Sequence, residues 1–169
     1  MKKYLLLLIA LILISCSNSD DSNEFTGLHF DQKTFENNQK LWTENEILNY
    51  TFSQEYFSIS IGGQPKLTSV IKNRLLDTIF VQNDTDISIE NMTYYETIDD
   101  VYDFIEYIVN SCEEQINSSQ SAMKGAEIKI TYDDIFHYPI EINCLGYYPD
   151  GMLGGLSIHI IFSDFIVNQ

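Results

Sequence analysis

Ser157, His159 and Asp164 are the residue types of a hydrolase triad, gathered in one short stretch of chain. That chemistry needs a serine hydroxyl that the histidine can deprotonate, and a carboxylate that orients the ring. Here Ser157 and His159 are two apart in an alternating segment. They share one strand face instead of converging, and no nucleophile-elbow sequence surrounds the serine. Metal chemistry is no better served. His29, His137 and His159 are far apart in sequence, and no cysteine or carboxylate spacing around them reproduces a zinc signature. Asn83-Asp84-Thr85-Asp86 echoes a calcium loop but lacks its glycine and terminal glutamate. There is no glycine-rich phosphate cradle. From these patterns no catalytic residue, no metal site and no cofactor is expected.

Cys16 is different, because the sequence around it has a chemical logic. Lys2 and Lys3 precede an apolar run from Tyr4 to Ile14, and Leu13-Ile14-Ser15-Cys16 closes it. At about 1.5 Å per residue the run is too short to span a bilayer, and it fits the hydrophobic region of an export signal. Leu-Ile-Ser-Cys resembles the lipobox of bacterial lipoproteins. That resemblance implies that the Cys16 thiol receives a diacylglycerol and that the signal is cut just before it. Each buried methylene of the resulting anchor contributes roughly 0.8 kcal/mol. The alternative is a plain secretory signal in which Cys16 is incidental. The lipobox reading divides the chain into a signal peptide (1–15), a lipidated cysteine with an acidic tether (16–27) and a single folded domain (28–169). The tether, Ser17 to Glu24, is small and polar, and is either an acidic address for surface export or a spacer.

The full chain has 169 residues, with 25 acidic and 9 basic side chains and a formal net charge of −16. Cleavage before Cys16 removes Lys2 and Lys3, making the charge −18. With 11 Tyr and 10 Phe the chain is too apolar for a disordered acidic tail. Its carboxylate excess excludes a phosphate-gripping nucleic-acid surface. The expected partners are the membrane, through the N-terminal lipid, and an envelope protein; the chain is otherwise expected to be a monomer.

Periodicity supplies the elements. Asp31 to Thr43 reads as a first helix, with Phe35, Leu41 and Trp42 on its apolar side. Tyr50, Phe52, Phe57, Ile59 and Ile61 read as a strand ending at Gly62-Gly63, with two further strands over 67–72 and 75–82. Ile98, Val101, Ile105, Ile108, Cys112 and Ile116 form one stripe of a second helix, N-capped by Thr97. Its acids, Asp99, Asp100, Asp103, Glu106, Glu113 and Glu114, read as a solvated face; a weak divalent-cation site is the alternative. Alternation then marks strands around Ile128–Tyr132, Ile140–Cys144 and Leu156–Phe162, the first two joined as a hairpin. The expected fold is α+β: an antiparallel sheet of about five to six strands with two main helices packed on one face, in the order helix, strands, helix, strands.

Trp42 with Tyr50-Thr51-Phe52, Thr97-Ile98-Asp99-Asp100, and Ile130-Thr131-Tyr132-Asp133 with Tyr138-Pro139-Ile140-Glu141-Ile142 resemble an uncharacterised family of bacterial lipoproteins, a domain of unknown function. In that family a Tyr-Asp pair ends one strand and a Gly-Tyr-Pro turn opens the next; His137 stands here in place of the glycine. The resemblance implies a lipid-anchored protein of the bacterial cell envelope, at the outer membrane on its periplasmic or surface side. It supplies no catalytic residue.

Two further groups stay open. Tyr132, Asp133, His137 and Tyr138 are either turn architecture or a small recognition patch. Cys112 and Cys144 fall on apolar faces, either as a helix-to-strand disulfide or as two small buried hydrophobes. The functional expectation is a noncatalytic binding module, with an envelope hydrolase assembled from distant residues as the alternative. If the acidic stretch after Cys16 is an export address, protease added to intact cells digests the protein; full protection leaves it a spacer.

Overall fold

The structure is a computed structural model and describes residues 25–82, 88–149 and 155–168. Cys16, the signal, the acidic tether up to Glu24 and the Asn83–Asp86 stretch lie outside those residues. Among the described residues ten elements follow one another: β1 (Gly27–Phe30), α1 (Gln32–Glu44), β2 (Tyr50–Ser58), β3 (Gly62–Gly63), β4 (Leu67–Lys72), β5 (Leu75–Val81), α2 (Ile98–Asn117), β6 (Gly125–Tyr132), β7 (Pro139–Tyr147) and β8 (Ser157–Val167).

All eight strands join one sheet in the order β1-β6-β7-β8-β2-β4-β5, with β3 folded onto β2. The α+β class and the two helices are as expected, but the sheet is larger than five to six strands and is not wholly antiparallel. Strand β1 runs parallel to β6, pairing Gly27 with Gly125 and Phe30 with Ile128. The partners meet because Gly125 has no side chain: a Cβ there would sit 2.9 Å from the carbonyl oxygens of both Gly27 and Phe25. The strand expected to run to Gly62-Gly63 ends at Ser58 and turns back, so that Phe57 faces Gly63.

The helices cover one face. Phe35 and Trp42 of α1, and Ile98, Val101, Ile105 and Cys112 of α2, share a core with Tyr50, Phe52, Ile128, Ile142, Ile160 and Phe162 from the sheet. Strand β8 keeps its apolar side inward only by changing parity. Ser53 pairs with Ser163 and Thr51 with Ile166, so β8 spends one more residue than β2 between them. Asp164, at φ 52°, is that bulge residue. Beyond it Phe165 points inward and stacks on Tyr138, ring centroids 4.4 Å apart.

Polar groups fix where α2 begins. Gln54, 3% exposed, clamps the Tyr95 backbone from both sides: its amide donates to the Tyr95 carbonyl (2.7 Å) and its oxygen accepts from the Tyr95 N–H (2.8 Å). Two residues on, Thr97 and Asp100 form a reciprocal capping box. The Ile98 N–H donates to the Tyr50 hydroxyl (3.0 Å) and the Trp42 indole donates to Asp99 (2.9 Å). An unpaired buried backbone group costs roughly 1–3 kcal/mol. Gln54→Met should therefore lower unfolding free energy by at least about 2 kcal/mol, since two groups are orphaned, and Tyr50→Phe by about 1 kcal/mol. Urea denaturation measures both, and equal stability of Gln54→Met and wild type would remove the clamp from the fold's requirements.

Candidate functional site

The face of the sheet opposite the helices is uncovered by any described element. Strand parity dictates what it carries. Register places Glu55, Ile161 and Glu141 in one row, and Phe57, His159, Asn143 and Lys129 in the next. Leu145 and Ser157 follow, paired with each other. Phe57, Leu145 and Ile161 are 47%, 44% and 38% exposed, high for large apolar side chains in the middle of a sheet.

Among them lies a polar cluster. His159 Nε2 meets Glu141 Oε1 at 2.9 Å, and the Asn143 amide donates to the same oxygen at 3.0 Å. Those two hydrogen bonds, Asn143's first, hold the Glu141 carboxyl below its ordinary value. Beside the cluster, Phe57, Lys129, Asn143, Leu145, Ser157 and His159 line a shallow depression of about 410 Å³. A second of about 290 Å³ opens at the sheet edge where β1 gives way to α1, between His29, Asp31, Lys129 and Tyr132. Two ion pairs sit on the face, Lys129 with Glu127 (2.8 Å) and Lys66 with Asp164 (2.7 Å), and the Glu55 and Glu141 carboxylates leave it acidic.

The triad residues do not assemble. Asp164 is held by Lys66, which keeps its carboxyl low, and His159 is bonded to Glu141 instead. Ser157 shares the open face with His159, as their spacing predicts, but no hydrogen bond joins them among the described residues. There too no group of His, Cys, Asp or Glu is placed to hold a metal ion.

The hairpin residues are engaged internally. Asp133 accepts from the N–H groups of Ile135 (2.9 Å) and Phe136 (2.6 Å), closing the β6–β7 turn. The Tyr102 hydroxyl donates to the carbonyl of His137, which sits at φ 64°. Tyr138 is buried in the core, and burial pushes its hydroxyl up to about 12. Only the Tyr132 hydroxyl of this group is buried without a partner. Cys112 and Cys144 meet across the interface of α2 and β7 as free thiols. Their mutual hydrogen bond and burial both push the Cys144 thiol far above its ordinary value.

The partnership of Glu141 with His159 was missed in the sequence because the residues lie on different strands. The available signal was parity: both occupy the polar side of an alternating strand. Compared with known proteins, the chain matches no family model, no curated protein and no solved structure.

Because Glu141 is depressed, the stability it contributes is present above the ordinary value of 4.5 and is lost as pH falls through its folded value. Glu141→Gln should flatten the acid limb of the stability curve below about pH 4.5 relative to wild type, measured by urea midpoints from pH 3 to 6. An unchanged limb would show that the cluster does not hold the carboxylate.

Proposed function

We propose that the protein is an acylated lipoprotein of the bacterial envelope, anchored through Cys16 at the outer membrane, and that its domain is a noncatalytic binding module. The observation that carries the binding reading is the open sheet face, where Phe57, Leu145 and Ile161 surround the Glu141–Asn143–His159 cluster. Such a face suits a partner that buries apolar groups while matching a few fixed polar ones. The anchor reading rests on Leu13-Ile14-Ser15-Cys16 behind a basic start and a short apolar run. A hydrolase reading lacks a hydroxyl activated by His159 among the described residues.

A photo-reactive side chain placed at Ile161 should capture one envelope component in cells, and the same group at Glu106 on α2 should not. Leu145→Arg should abolish that capture without lowering the melting temperature. Equal labelling from both positions would remove the open face as the binding surface. In an oxidising compartment the neighbouring thiols of Cys112 and Cys144 are proposed to join as a disulfide. Non-reducing mass measurement of the exported protein should then show the loss of two hydrogens, whereas two alkylatable thiols would exclude the bond.

A further inference from the structure

The turn between β2 and β3 projects large apolar side chains. Ile59 and Ile61 are 59% and 55% exposed, and Phe57 stands just below them. This is an ordered projection. The Ile61 N–H donates to the Ser58 hydroxyl (3.2 Å), the Gln64 N–H to the Tyr56 carbonyl (2.9 Å), and the Thr93 N–H to the Gln64 side chain (3.0 Å). Gly62, at φ 83°, makes the reversal that a side chain would resist.

Strand register shows which end of the molecule the tip occupies. Gly27 pairs with Gly125, Gly125 with Tyr147, Leu145 with Ser157, Ile158 with Ser58, and Ser58 with Gly62. The start of β1 and the Ile59/Ile61 tip therefore lie at the same end of the sheet. Phe25, just ahead of β1, stacks on Tyr147 there, ring centroids 3.9 Å apart. Only Ser17 to Glu24 separate Cys16 from Phe25, a span of at most about 30 Å. The β6–β7 turn, with exposed Ile135, lies at the far end, the length of β7 away, about 30 Å.

Charge distinguishes the tip as well. In a chain of net charge −16, residues 56 to 65 contain no Asp, Glu, Lys, Arg or His. An anionic lipid surface repels the acidic faces and not this segment. We propose that Ile59 and Ile61, with Phe57 behind them, form a lipid-contacting wedge. It seats in the bilayer interface beside the acyl anchor and turns the domain so that its far end points away from the membrane. The wedge rests on the lipoprotein reading of Cys16.

The full acylated chain is reconstituted in phosphatidylethanolamine–phosphatidylglycerol vesicles containing brominated acyl chains, with wild type, whose Trp42 is buried, as baseline. Ile61→Trp should lose at least half of its added emission to the bromines, and Ile135→Trp almost none. Mass spectrometry of the Cys16 peptide reports the anchor independently. Acylated chain with Ile61→Trp unquenched, or with both positions quenched alike, overturns the wedge alone. An unacylated Cys16 overturns the anchor, and the wedge with it.

Discussion

Everything on the covered side of the sheet depends on how the start of α2 is held. Gln54, a buried amide in the middle of β2, satisfies both backbone groups of Tyr95. That fixes the chain two residues before Thr97 caps the helix. Tyr50, on the same strand and the same face, then takes the Ile98 N–H. Trp42 reaches from α1 to Asp99, so the first helix is indexed to the second through the same corner. These groups are costly to bury and are nearly all paired, so the arrangement rigidifies the corner instead of weakening it. With the start of α2 set, the stripe from Ile98 to Cys112 can meet only one set of strand residues. The opposite face of the sheet is left bare as a result.

The parts of the fold that were legible in the sequence are those whose signal is local. Helix α2 spans Ile98–Asn117, within one residue of the expected stripe, because the apolar repeat marks its length and Thr97 its start. The β6–β7 hairpin follows from two alternating runs around Asp133 and Pro139. Strand β1 was not visible. Four residues carry little periodicity, and its parallel partner lies beyond α1, four strands and α2. The bulge at Asp164 was hidden for a related reason: the even-numbered pattern through Phe162 gives no notice that Phe165 will face the same way. The candidate site is built from pairs across strands, and such pairs emerge only when register is known.

An open sheet invites further strands, and both of its edges are blunted. Strand β1 is only four residues long. Strand β5 gives up its regular edge at Asp77, an unpaired extra residue between Thr78 and Leu76 that bonds to Lys72 at 2.9 Å. Short edges and charged bulges oppose strand addition from another chain. The edges are thereby closed to backbone pairing, and what the sheet leaves open is a face of side chains.

The seam between β1 and β6 also sets a timetable. A chain delivered N-terminus first presents Gly27–Phe30 long before Gly125–Ile128 exists to receive it. The β2–β4–β5 meander can form from near neighbours, but β8 must return to β2 across more than a hundred residues before the sheet becomes continuous. The domain therefore cannot close on a partial chain. Strands β1 and β8 each take a partner from the other half of the chain, so the sheet becomes continuous only when nearly all of the domain is present.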